Sequence, residues 1–424
     1  METRHIAHII IEADTPLKVG SNASDFLQDS PIQKDFNGLP MILGTSLAGV
    51  LRKDFDKGLV NEIFGKENGS KVIISNALLL DEKGKVSEEL LLEKTKFLKI
   101  FDNLPIREHT AITEKGVARE HSKFDEEVLY KGSHFKFSIE LIESDKIIFN
   151  EILDLLLSSS FRLGGGSTKG FGKIKIIDIT TQSFTKDDYE TYSSSLNHPL
   201  KGETRTSQDK KDENYINYTL HVEPEDFFMF GSGFGDSDAD ATPVYERVID
   251  YENAKLKEEQ ILIPASSIKG ALAHRTAFHF NKEMLKQGKD HTKVAEENKA
   301  VLAIFGHKKE LNEENKELGQ KGKILISDCF KEIKKDETKT FDHVSIDRFT
   351  GGAIDGALFN EKTIALKDKW DIEILLHVDI TGTELQAFES ALTDITTGML
   401  PLGGMTTKGH GAFVGTLLNR WRKI

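Results

Sequence analysis

Two observations predict an α+β protein built from two tandem units of ferredoxin-like type, each with an antiparallel sheet. Five blocks of sequence recur in the same order along the 424-residue chain, and helical and strand-like patterns alternate inside each copy. Leu163-Gly164-Gly165-Gly166-Ser167-Thr168-Lys169-Gly170-Phe171-Gly172 returns without a gap as Leu402-Gly403-Gly404-Met405-Thr406-Thr407-Lys408-Gly409-His410-Gly411. Gly44-Thr45-Ser46-Leu47-Ala48-Gly49 is echoed by Ala265-Ser266-Ser267-Ile268-Lys269-Gly270, Ile63-Phe64-Gly65 by Ile304-Phe305-Gly306, and Lys71–Ser75 by Lys323–Ser327. His109–Ala118 returns, with one insertion, as His343–Ala353.

Each unit opens on an alternating strand, near Ile6–Glu12 and Tyr218–Val222. A Gly/Ser/Asp-rich loop follows, and a helix is expected to begin at Thr45-Ser46 and Ser266-Ser267, which are good N-cap types. Next come a strand (72–75, 324–327), a long excursion (about 100–132, 340–360) and a strand (134–142, 371–378). A helix (148–160, 383–397), the glycine loop and a last strand (172–180, 411–417) complete the unit. The first unit is therefore placed at 1–180 and the second at 214–424. Residues 181–213, with Lys186-Asp187-Asp188 and Ser193-Ser194-Ser195, read as a polar linker. The charged stretch about 281–322 lies between matched blocks and reads as an insertion in the second unit.

Composition narrows the function. Cys329 is the only cysteine, so an intrachain disulfide and a cysteine-based zinc site are excluded and a reducing cytoplasm is expected. The longest apolar runs, such as Ala77–Leu80, fall far short of a membrane span, and no signal peptide is expected ahead of the first strand. The net charge of −13, from 56 basic and 69 acidic residues, argues against a protein that coats nucleic acid non-specifically. It leaves room for a local basic groove.

Four features carry chemistry. The glycine loops, with Gly164, Gly165, Ser167 and Lys169 in one copy and Gly403, Gly404, Thr406 and Lys408 in the other, can present free amides and a lysine to a phosphate. They are neither Walker A nor dinucleotide loops, because the Gly-Lys-Ser/Thr order is missing and a strand follows. A tight turn is the plain alternative. Thr45, Ser46, Ser266, Ser267 and Lys269 put hydroxyls and amides at helix openings, which suits phosphate or simple capping. Arg107, His109, His343 and Arg348 lie on the long excursions, and Arg52 follows the first helix opening; all five are candidate RNA contacts. Asp29, in Asp29-Ser30-Pro31, stands on a loop where a carboxylate can act as a base or hold a divalent ion; on spacing alone an exposed loop aspartate is favoured.

Taken as an ordered set in duplicate, these motifs resemble the RAMP superfamily, and most of all the backbone subunits of type III CRISPR effector complexes. The carriers are the two helix openings, the segment Val344-Ser345-Ile346-Asp347-Arg348-Phe349-Thr350-Gly351-Gly352-Ala353, which resembles a thumb, and the two glycine loops. The resemblance implies a modified RNA-recognition-like fold that binds CRISPR guide RNA, pairs with target single-stranded RNA and sits among other type III effector subunits. It implies cleavage of the target with Mg²⁺ (or Mn²⁺) through Asp29 as catalyst and metal ligand. In the second unit Pro243 aligns with Pro31, which places Ala241 opposite Asp29, with Asp238 and Asp240 close by as substitutes. The alternatives are a non-catalytic RNA-binding scaffold and a metal-independent CRISPR repeat-processing endoribonuclease. No membrane partner is expected.

Overall fold

A computed structural model describes residues 3–20, 31–66, 69–113, 117–142, 145–205, 210–307, 319–365, 367–419 and 422–423. In the first unit the sheet runs Ile174–Phe184, Arg4–Ala13, His134–Ile142, Val72–Ile74, with every neighbour antiparallel. In the second it runs Phe413–Asn419, Tyr215–Pro224, Trp370–His377, Ile324–Ile326, again antiparallel. Numbered along the chain, both sheets have the order 4-1-3-2, with helices between strands one and two and between strands three and four. This is the ferredoxin-like arrangement written twice.

The strand patterns explain the layering. Along His134–Ile142, Phe135, Phe137, Ile139 and Leu141 are fully buried and alternate with half-buried residues, as a pleat with one covered face requires. The covering helices Gly44–Asp54 and Lys146–Leu156 contribute Leu47, Leu51, Phe149, Ile152 and Leu153 to the same core. In the second unit Ile268, Leu272, Phe388, Ala391 and Ile395 do the same from Ala265–Lys286 and Gly382–Thr396.

The helix openings differ from the N-cap expectation. The helices start at Gly44 and Ala265, so the hydroxyl residues lie inside the first turn. The caps arrive from a distant strand end. Asn76 Oδ1 accepts the Gly44 N–H at 2.9 Å, and Asp328 Oδ1 accepts the Ala265 N–H at 2.8 Å. Sequence windows test only local caps, and these partners are 32 and 63 positions away.

The boundary regions are more ordered than their polarity suggests. Within 181–213, Glu203–Arg205 adds an edge strand to Ile174–Phe184, and Leu196 is buried against Leu80 and Val86. Within 281–322, the helix from Ala265 runs on to Lys286, and Lys299–Phe305 buries Ala300, Val301, Ile304 and Phe305. A hairpin at 249–256 from the second unit plugs into the first. Ile249 joins the first unit's core, and its N–H bonds Lys131 O at 2.9 Å. Tyr251 stacks on His134 with ring centroids 3.9 Å apart and donates to Leu80 O at 3.0 Å.

Both long excursions are antiparallel hairpins, Ile106–Ile112 with Ala118–Glu127 and Thr338–Ile346 with Ala353–Ile364. Their outer parts expose apolar side chains, among them Ile112, Val117, Val344, Ile346 and a wholly exposed Phe349. These are the thumbs.

Candidate nucleic-acid interface

The glycine loops are first of all turns. Gly164 has φ +78 and a Cβ there would lie 2.2 Å from Lys18 O; Gly403 has φ +93 and the same clash with Met229 O at 2.4 Å. Only glycine lets this backbone lie so close to that carbonyl. The turn then aims a lysine at the root of each thumb. Lys169 Nζ lies 4.7 Å from the Phe124 ring centroid and 3.7 Å from Glu126; Lys408 Nζ lies 4.4 Å from that of Phe359 and 3.8 Å from Glu361.

Each root repeats the same set of groups. His109 stacks on Phe124 at 5.1 Å and reaches Glu126 at 3.2 Å, while His343 stacks on Phe359 at 4.8 Å and reaches Glu361 at 2.9 Å. A further partner completes each cluster, Lys18 at 2.5 Å from Glu126 and His410 at 3.1 Å from Glu361. Glu361 is completely buried and Glu126 nearly so. Burial opposes the charge on Glu126, yet His109, Lys18 and Lys169 outweigh it and hold its pKa at about 2. One carboxylate against two lysines leaves surplus positive charge beside a flat ring, which suits phosphate and base together. Sequence reading missed Phe124, Glu126, Phe359, Glu361, Lys18 and His410. The available signal was the pair Phe-x-Glu, which recurs after each His block.

Two motifs from different units meet. Lys269 Nζ is 3.4 Å from Thr168 Oγ1. Burial, and then the charge of Lys169, lower its pKa. The second unit's helix opening, with Ser266 half-buried and Ser267 exposed, therefore sits on the first unit's glycine loop, in which Gly165 is exposed and Ser167 is buried. The first unit's own opening leaves Thr45 exposed and Ser46 half-buried, and the second unit's loop leaves Gly404 and Thr406 half-buried.

Two expected contacts are placed elsewhere. Arg107 is buried between the units, bonded to Glu246 through Nε and through Nη2 (2.8 Å) and to Asp328 through Nη1 (2.5 Å). Burial weakens its charge, but Asp328 and Glu246 overcome that and raise the pKa, so it is an ionised joint residue rather than an RNA contact. Arg52 donates to the carbonyls of Phe64 (3.3 Å) and Gly65 (2.6 Å), closing the short helix beneath it. Arg348 is exposed at the tip of the second thumb.

Asp29 lies outside the described residues. The register of its counterpart is nevertheless set on both flanks. Gly20 bridges Ile32 as Gly231 bridges Pro243, and Gln33 N–H bonds Val19 O as Val244 N–H bonds Phe230 O. All four pairs share an offset of 211 in the numbering, which sets Asp240, not Ala241, at the place counted from Asp29. The alignment on the two prolines was one residue out. Asp240 is exposed; its Oδ2 accepts the Asn360 N–H at 2.9 Å, and no partner of Oδ1 is seen among the described residues. Asp238 pairs with Lys362 at 3.1 Å, as does Asp236 at 2.6 Å. Among the described residues no group of three or more His, Cys, Asp or Glu is placed to hold a metal. A single free carboxylate oxygen still fits Mg²⁺, which keeps most of its waters. The first thumb leans on this loop, with Lys123 Nζ 5.0 Å from the Phe234 ring centroid.

No helix among the described residues is long and apolar enough to cross a membrane. The chain is 27% identical over 215 residues to the CRISPR system Cms endoribonuclease Csm3 of Methanocaldococcus jannaschii, a match covering 43% of this chain and 82% of that protein. The model of the RAMP superfamily matches residues 10–175 and again 246–414, one match to each unit. Two matches, one on each of two copies of one sheet order, make the conclusion plain: the chain belongs to the RAMP superfamily.

Proposed function

We propose that this chain is a fused double backbone subunit of a type III CRISPR effector, which binds guide RNA and cleaves the paired target RNA. The observation that carries the reading is the repeated thumb-root cluster, Lys169 on Phe124 and Lys408 on Phe359, each anchored to a buried glutamate. Two matching positions on tandem units, each with a lysine over a flat ring, suit a polymer with a regular backbone. The exposed apolar thumb tips suit insertion between nucleotides.

Cleavage follows from the RNA's own chemistry. The 2′-hydroxyl beside the scissile phosphate attacks phosphorus as the 5′-oxygen leaves, so the protein must align the two oxygens and handle one proton. Asp29 is the proposed acceptor in the first unit and Asp240 its counterpart in the second, while Asp238, tied to Lys362, is the weaker candidate. A bound Mg²⁺ (or Mn²⁺) would supply charge stabilisation at the phosphate. The test is a labelled target with guide, read as a cleavage ladder. Asp29→Ala removes one band, Asp240→Ala another, EDTA removes both, and binding persists throughout. A ladder unchanged in the double variant sinks the catalytic assignment and leaves the scaffold; one that survives EDTA points to the metal-independent endoribonuclease.

A further inference from the structure

The second unit's thumb strand has a different task on each face. Along Ala353–Ile364, Phe359 and Glu361 meet the lysine of the glycine loop, Lys408. Asn360 and Lys362 alternate with them, so their side chains leave from the opposite face. There they hold the loop 232–242. The Asp240 N–H donates to Asn360 Oδ1 at 2.7 Å, and Asp240 Oδ2 accepts the Asn360 N–H at 2.9 Å. The backbone continues the seam, with Ala241 N–H on Asn360 O at 3.2 Å and Lys362 N–H on Ala241 O at 2.8 Å.

These bonds decide which carboxylate oxygen of the loop is left over. Lys362 takes Asp236 at 2.6 Å and Asp238 at 3.1 Å. Asp236 is committed further, since its Oδ1 accepts the N–H groups of Asp238 and Ala239 at 2.7 and 2.9 Å. Asn360 binds residue 240 through both backbone and carboxylate, which fixes the main chain and the side-chain torsions together. The first unit uses the same strand positions. His109 pairs with Phe124 as His343 pairs with Phe359, which puts Asp125 at the place of Asn360 and Glu127 at that of Lys362. Glu127 Oε2 accepts the Ile32 N–H at 2.8 Å, so there too a side chain of this strand holds the matching loop. Asparagine and aspartate share an oxygen acceptor, not an amide.

We propose that Asn360 is the positioning residue of the second unit's cleavage site, fixing Asp240 so that its Oδ1 is free to take the proton of the attacking 2′-hydroxyl. The inference rests on the reading of Asp240 as that unit's proton acceptor. What Asn360 contributes is the acceptor at its Oδ1, and an aspartate in its place supplies the same one. A carboxylate displaced by about 1 Å can lose on the order of a hundredfold in rate.

The test uses the intact chain assembled with guide and a labelled target, and follows the two bands separately under single turnover. Asn360→Ala should slow the second band by about 10–100-fold at saturating target, leave the half-saturating target concentration unchanged and leave the first band at its wild-type rate. Asn360→Asp should restore the second band to within a few-fold of wild type. Asp240→Ala should remove that band altogether. If Asp240→Ala removes the band and Asn360→Ala does not slow it, the positioning role is overturned and Asp240 stands. If the band survives Asp240→Ala, the reading beneath the proposal fails and the proposal with it. Equal slowing of both bands in Asn360→Ala, or an Asn360→Asp variant as slow as Asn360→Ala, also overturns it, because either result marks a general structural loss. Thermal melts confirm folding, and Asn360→Val replaces Asn360→Ala if the latter is unfolded.

Discussion

Gly170 and Gly409 are the same position in two copies of one loop, and alanine at each separates backbone strain from contact between the units. Their φ values, +108 and +92, lie in the same glycine-favouring region, so alanine strains both by about 1–3 kcal/mol. Only at 170 is the space taken, with Asp328 Oδ1 2.2 Å and Ala265 Cβ 2.8 Å from the added carbon. Both neighbours belong to the second unit. Asp328 is poorly placed to yield, because the same oxygen caps the Ala265 N–H and its partner oxygen holds Arg107. Overpacking of this kind costs about 1–3 kcal/mol, and a weakened cap adds about 1 kcal/mol. Gly170→Ala should therefore lose about 2–4 kcal/mol more than Gly409→Ala. For a unit of this size each kcal/mol lowers the midpoint by about 2–4 °C. Differential scanning calorimetry of the intact variants, run at one scan rate, reads the difference directly. Equal midpoints would refute the packing of the first glycine loop on the second unit.

Two further outcomes test the thumb roots. Lys169→Ala and Lys408→Ala should each weaken RNA binding and reduce the salt slope by about one, measured by filter binding across a salt series; unchanged slopes in both leave the loops as turns. Glu126 has its folded pKa depressed, so its stabilisation is present above its ordinary value of 4.5 and fades as the pH falls from there toward about 2. Glu126→Gln should lower the melting midpoint at pH 7 by leaving Lys18 and Lys169 without their carboxylate, and should match wild type near pH 2. A constant gap across that range would show that packing, not charge, accounts for the loss.

The duplicated fold was legible because its signals are local and periodic. Phe135, Phe137, Ile139 and Leu141 alternate in sequence as they do in burial. The glycine loops announce themselves through residues that no other turn needs. What stayed hidden depends on contacts far apart in the chain. Arg107 reads as a hairpin cation until Asp328, 221 positions away, is seen beside it. Glu126 and Glu361 look like surface acids in a polar strand, yet both are buried at the meeting of thumb and loop. The proline-based register also failed for a physical reason. Proline fixes a φ but not a strand partner, whereas the bridges at Gly20 and Gly231 set the spacing on both sides.

Ile249 gives the hairpin at 249–256 a consequence during synthesis. The first unit's own edge strand ends at Arg205, but its core also contains Ile249, and Tyr251 covers His134. A ribosome adding about 5–20 residues per second needs roughly 2–9 s to pass from one point to the other. During that interval the emerged unit has an apolar gap near Phe97 and Leu80, a surface a holdase would recognise. A separate second unit would have to find the gap by diffusion. In the fused chain the plug follows on the same polypeptide, so the fusion shortens the exposed period to the time of translation itself.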